Sequence, residues 1–223
     1  MYHATTVIAV ALLAWAAVSQ AMAYESGGGS YAAMRVSLIF DLLPDSSDIT
    51  LSTGLGTTEL EGHDWDDAWR LGVDFTGQYM LSEGGGPYLA YGLGLFYNRY
   101  EVTDGGSEFS GNGYMLQPHI GLGMHAAEWL FLSANVYGEV GLATFDFKSS
   151  TFPGGIDESS YNEFIYGYGI YAAADFALGE TIVFGARAGW MQQELEGTFD
   201  DADLTVESTT DGFFVGALFG VRF

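Results

Sequence analysis

The chain has 223 residues, with 29 acidic and only 6 basic side chains, a formal net charge of −23 and no cysteine. Such a chain is repelled by nucleic acid and by anionic surfaces, and it forms no disulfide, thiolate metal site or lipidated cysteine. At 48% hydrophobic it is too apolar for a disordered polyanion, and its length suits one domain.

The first element is an apolar run from Val7 to Val18, followed by Ala21-Met22-Ala23, a small-x-small cleavage pattern. This predicts a secretory signal peptide over 1–23, cleaved after Ala23, and a mature domain over 24–223. No Lys or Arg precedes the run, only His3. A membrane-anchor helix is the competing reading, but the run falls short of a full span.

From Tyr31 onward, period-2 alternation returns eight times, and helical spacing is sustained nowhere. The segments are YAAMRVSLIFDL (31–42), AWRLGVDFTGQYMLS (68–82), PYLAYGLGLFYNRY (87–100), GYMLQPHIGLGMH (113–125), LFLSANVYGEVGLA (130–143), EFIYGYGIYAAADFAL (163–178), TIVFGARAGWMQ (181–192) and FFVGALFGVRF (213–223). Ser82–Pro87, Ala126–Trp129 and Ala177–Glu180 read as tight turns. The other connections, about 43–67, 101–112, 146–162 and 194–210, are long and polar. Short turns at one end and long loops at the other predict an all-β fold. It is an eight-stranded antiparallel up-and-down transmembrane β-barrel with four long outer loops and three short periplasmic turns.

Alternation alone also fits a soluble sheet or a lipocalin-like secreted barrel. Three features favour lipid on the apolar face. The opposite face is rich in glycine and small residues, as a narrow barrel lumen requires. It carries sparse charges of both signs, Arg35, Arg70, Arg187 and Arg222 against Asp74, Glu139 and Asp175. Inside a barrel such charges must pair, because an unpaired buried charge is costly. Large aromatics end the strands on the apolar face: Trp69, Tyr97, Tyr114, Phe164, Tyr166 and Trp190 above, with Tyr79, Phe176 and Phe223 below. They read as two interfacial girdles.

Signal peptide, eight strands, long outer connections and a terminal FGVRF together resemble the small outer-membrane β-barrel family of porin-like or opacity-protein type. The likeness spans the mature chain, with GPYLAYGLGLFYNRY and PHIGLGMHAAEWLFLSANVYGEVG similar to that family's strand-turn-strand units. It implies location in the cell outer membrane, contact with its lipid and lipopolysaccharide, and a monomer. It also implies that the outer-membrane insertion machinery reads the last strand through Val215, Phe219, Val221 and Phe223. The aromatic usual at the third position from the end is replaced by Val221.

Chemistry is harder to find. His119 lies mid-strand on the inner face and His125 near a periplasmic turn, with no serine at hydrolase spacing. A hydrogen-bonded interior histidine is the simpler reading, so no catalytic residue and no cofactor are expected. Most acids fall in the long connections, as in HDWDD (63–67), DESS (157–160) and DDAD (200–203). They suit a solvated outer surface, and divalent cations bridging such loops are the alternative. The expected role is structural or surface-interactive through a plugged polar barrel. A narrow conduit for small solutes comes second, and a lipid-modifying enzyme third.

Overall fold

The computed structural model describes residues 32–44, 46–53, 56–64, 67–81, 86–104, 107–149, 156–199 and 204–223. The expected signal peptide lies outside the described residues. Ten strands form among the described residues: β1 (Ala32–Leu42), β2 (Ser46–Thr53), β3 (Gly56–Asp64), β4 (Asp67–Met80), β5 (Pro87–Asp104), β6 (Ser107–Ala127), β7 (Leu130–Ser149), β8 (Ile156–Leu178), β9 (Ile182–Phe199) and β10 (Leu204–Arg222). All pairings are antiparallel, in the order β1-β4-β5-β6-β7-β8-β9-β10, and β10 closes back on β1. The wall is therefore a closed ring of eight.

The two extra strands lengthen that ring without adding to it. β2 continues on β10 in the register β1 leaves: Leu42 faces Val215 and Ser47 faces Thr210. Pro44, which has no N–H to donate, falls in the break between β1 and β2. β3 folds back on β2 and leads into β4. Following paired residues from Phe40 through Leu71, Tyr97, Tyr114, Leu142, Phe164, Glu196 and Glu207 returns to Thr50 on β2, ten residues further along the chain. That stagger means strongly tilted strands and a lumen just wide enough for side chains to fill. The final residue is tied in as well, with Phe223 N–H donating to Met34 O at 2.8 Å and Met34 N–H to Phe223 O at 3.3 Å.

Burial reverses the usual rule. Leu38, Leu122, Val136, Ile170, Val215 and Phe219 are more than half exposed, while Asp41, Arg70, Asn98 and Gln117 are fully enclosed. The apolar face points outward all round, and the barrel's inner face holds the polar groups.

The strands reach well past the expected outer boundaries, and most of the connections read as loops are β-hairpins. The cause is a change of phase in the alternation. On β7, Val136, Val140 and Leu142 face outward. A few residues higher Ala143, Phe145 and Phe147 are buried inside, and Lys148 faces out. On β9, Met191 and Leu195 turn in while Glu196 turns out. Below the change the barrel is apolar outside; above it the barrel is built like a water-soluble one. The switch marks where the outer wall stops meeting lipid.

The lower turns fall where expected. Residues 128–129 and 179–181 reverse the chain, and Gly179 adopts φ +67°, a left-handed conformation natural to glycine. Leu81 N–H bonds Pro87 O at 3.0 Å across the first.

A charge placed mid-height on the outer wall should be costly, and one above the phase change should not. Val136→Arg should lower folding free energy in lipid vesicles by about 2–4 kcal/mol, and Glu207→Lys by about 0–1 kcal/mol. Equal losses in a urea titration would contradict this placement of the lipid belt.

Candidate functional site

Among the described residues, ionisable groups concentrate out of water in the barrel interior. Its hub is Asp41 on β1, which is wholly enclosed. Arg187 grips it with two hydrogen bonds, Nε to Oδ1 at 2.8 Å and a short Nη2–Oδ2 contact, and Arg70 Nε reaches the same Oδ2. Fork-shaped guanidinium pairing of this kind is the strong form of ion pair. Arg70 Nη1 then donates to Glu139 Oε2 at 3.1 Å. Glu139 also accepts from Gln117 Nε2 at 3.1 Å and Gln193 Nε2 at 2.7 Å. Two cations and two anions are thus linked in one network across five strands.

Aromatic rings cover both guanidiniums. Arg70 lies over Phe214 at 4.9 Å, Phe96 at 5.0 Å and Tyr137 at 5.8 Å. Arg187 lies over Phe96 and Tyr171 at 5.2 Å each. The ring faces supply electron density where water is absent. Glycine makes the hub possible: a Cβ at Gly216, the cross-strand neighbour of Asp41, would fall onto the Asp41 carboxylate.

Above the network the lumen is apolar. Tyr100, Phe109, Met115, Phe145, Ile165, Met191 and Leu195 are buried there, with Phe109 and Phe145 stacked at 5.4 Å. The expected polar plug is therefore polar only in part. Phe214, read as one of a small-residue face, belongs to this packing.

Below it sits a second charged group. Arg35 Nη1 pairs with Asp175 Oδ2, and Arg35 Nη2 reaches Thr76 Oγ1 at 3.4 Å. Thr76 donates to Asp74 Oδ2, whose other oxygen is 3.5 Å from His119 Nδ1. The His119 ring meets Tyr171 edge-on at 6.1 Å and packs where a Cβ on Gly92 would lie.

The structure thus brings the expected interior charges Arg35, Arg70, Asp74, Glu139, Asp175 and Arg187 inside. Two points differ from the sequence reading. Asp41, which lies on the same face as Arg35, is the hub and is absent from the expected set. Its signal in the sequence was an acid at inward parity opposite a glycine. Arg222, expected among the inner charges, joins neither group, and Asp175 is held by Arg35. The Arg222 guanidinium lies 4.9 Å over Phe131 at the lower mouth.

The outer aromatics form edges of contact. Trp69–Tyr97 and Tyr97–Tyr114 ring centroids are 5.8 and 5.5 Å apart, and Phe164–Tyr166 and Tyr168–Trp190 are 5.9 and 6.0 Å apart. Below, Phe176 stacks between Trp129 and Phe184, and Tyr79 is exposed. Val215, Phe219 and Phe223 face outward and Val221 is half-buried. His125 packs against Phe131 and Tyr88 at 4.6 and 5.5 Å. Among the described residues no three His, Asp or Glu side chains are arranged to hold a metal ion. Residues 65–66 and 200–203 lie outside the described residues; His63 and Asp64 end β3, residues 157–160 lie on β8, and Asp67 and Asp157 are exposed.

A closed eight-stranded ring, an apolar outer belt between aromatic edges and a charge-paired lumen define a transmembrane β-barrel, the architecture of the small outer-membrane barrels. No protein-family model and no curated protein matches the chain. Among solved structures it is similar to Ail, the attachment invasion locus protein of Yersinia pestis, at 16% identity over 86% of this chain and 99% of that one, TM-score 0.36. It is similar also to Neisserial surface protein A, at 11% over 86% and 98%, TM-score 0.34. A third is the outer membrane protein OprG from Pseudomonas aeruginosa, at 13% over 86% and 95%, TM-score 0.45.

Removing the hub should cost far more than removing the mouth cation. Asp41→Asn should lower stability in lipid vesicles by about 3–5 kcal/mol by leaving buried guanidiniums uncompensated. Arg222→Leu should cost under about 1 kcal/mol, the value of an exposed cation–π contact. The reverse ranking in urea titrations would contradict this assignment.

Proposed function

We propose that this protein is an integral outer-membrane barrel with a sealed lumen, acting through the outer face of its extended hairpins. The observation that carries this reading is the filling of the lumen. The Asp41 network crosses it at mid-height, and the apolar packing from Phe96 to Phe145 fills it above. A bulk aqueous path would have to break both at once. Buried networks in which the charges are mutually paired stay shut because separating them strands a charge in a dry site.

With the lumen sealed, the surface above the lipid belt is the part left to interact. It presents Glu108, Asp157, Glu196, Glu207 and Asp211, all exposed. This acidic surface suits cationic or divalent-bridged partners at the cell exterior and repels nucleic acid. Among the described residues, neither His119 nor His125 lies beside a nucleophile in an open cleft, and no catalysis is assigned. The outward residues of the last strand, ending at Phe223, serve insertion and then the lower girdle.

Planar-bilayer recording tests the sealed lumen. Purified protein should give no steady conductance in the wild type. Reproducible single-channel steps at neutral pH would overturn it in favour of a narrow conduit. Fractionation should place the protein with detergent-extracted outer membrane, and recovery in the periplasmic wash would overturn the membrane assignment.

A further inference from the structure

The lower chamber of the lumen carries an inference independent of the sealed-barrel reading. Among the described residues, the enclosed guanidiniums of Arg70 and Arg187 and the part-buried one of Arg35 stand against four enclosed carboxylates, Asp41, Asp74, Glu139 and Asp175. Arg70 and Arg187 are committed to Asp41 and Glu139, and Arg35 to Asp175. Asp74 is the carboxylate left without a guanidinium. Its neighbours are the Thr76 hydroxyl and His119 at 3.5 Å. A buried carboxylate lacking a countercharge is costly, so either a proton or a cation must offset it.

The chamber beside Asp74 has the shape and chemistry for it. It is lined by Arg35, Asp74, Gln78, Asn135, Asp175 and Arg187 among others, with free volume of about 10 Å³, room for one water-sized species. Four oxygens of these lining residues have no hydrogen-bond partner: Asp74 Oδ1, Asp175 Oδ1, Gln78 Oε1 and Asn135 Oδ1. All four residues are at least nine-tenths buried. Arg35 Nε and both His119 ring nitrogens are also unpartnered. A cation attracts every oxygen it touches, and two of these are neutral amide carbonyls.

We propose that the lower chamber binds a single small monovalent cation, of sodium or potassium type, against Asp74 and the neighbouring amide oxygens. The charge argues for a monovalent ion, since the enclosed groups fall short by one positive charge. A divalent ion would exceed that one-charge shortfall, calcium takes about six to eight oxygen ligands, and magnesium keeps waters that the chamber has no room for. Entry is from the lower mouth, where a second cavity lined by Arg35, Gln78, Asp175, Phe131 and Arg222 adjoins the chamber. The ion binds in a blind pocket below the Asp41 network.

The test uses the intact folded barrel in a neutral detergent. Its thermal unfolding midpoint is followed at equal ionic strength in sodium, potassium or choline chloride, choline being too large for the chamber. The midpoint should lie at least about 2 °C higher in sodium or potassium than in choline, because an ion bound only by the folded state stabilises it by mass action. The gap should vanish in Asp74→Asn and persist in Glu207→Gln, which alters only an outer acid. Equal midpoints in all three salts, or a gap that survives in Asp74→Asn, would overturn the proposal. Should Asp74→Asn fail to fold, nitrogen NMR of the wild-type His119 ring decides. A neutral ring beside an Asp74 carboxyl that carbon NMR shows ionised at neutral pH supports a bound cation, and a doubly protonated ring or a protonated carboxyl overturns it, since the proton would then be the missing charge.

Discussion

The structure depends on Asp41 holding two guanidiniums inside a wall that cannot hold them any other way. A barrel whose outside is solvated by lipid gains nothing from a greasy lumen in the way a soluble core does. It must fill its lumen and satisfy every polar group enclosed there. Asp41 lets Arg70 and Arg187 converge from opposite sides, and Glu139 with its two glutamine donors completes the set. Four aromatic rings then hold the guanidiniums flat. Gly216 contributes by absence, giving the Asp41 carboxylate the space beside its neighbouring strand.

The vertical order of the lumen follows from what surrounds the wall at each height. Within the lipid belt the outside is apolar and the inside carries charge. Past the upper girdle the outside meets water, the alternation changes phase, and the inside becomes aromatic. The same period-2 backbone serves both regimes, so the strands run on unbroken from one to the other. The barrel is a membrane protein below and resembles a small soluble barrel above, with the Asp41 network near the join.

The sequence made the lower half legible and obscured the upper. The lower turns carry glycine and short polar stretches, and the strand ends fall within a residue or two of expectation. The count of eight, the outward face and the inward charges could all be read from alternation. The upper ends could not, because the phase change on β5, β7 and β9 looks like the end of a strand when one face is followed. β2 and β3 were hidden for a related reason: Pro44 breaks the pattern while the register on β10 continues. The charge partners were legible only as a set. Parity says that Arg35, Arg222 and Asp175 share the lumen, but which pair forms depends on strand stagger, and that places Arg35 on Asp175. Asp41 was visible as an inward acid, yet its rank as hub needed two arginines from strands far apart in sequence.

The measurement that tests this account most directly is a double-mutant cycle between Asp41 and Arg187, read as folding free energy in lipid vesicles. If the pair is the hub, Asp41→Asn and Arg187→Gln together should cost less than the sum of the two single changes, with a coupling of at least about 1.5 kcal/mol. Additive losses within about 0.5 kcal/mol would show that the two side chains do not depend on each other, and would contradict a lumen organised around Asp41.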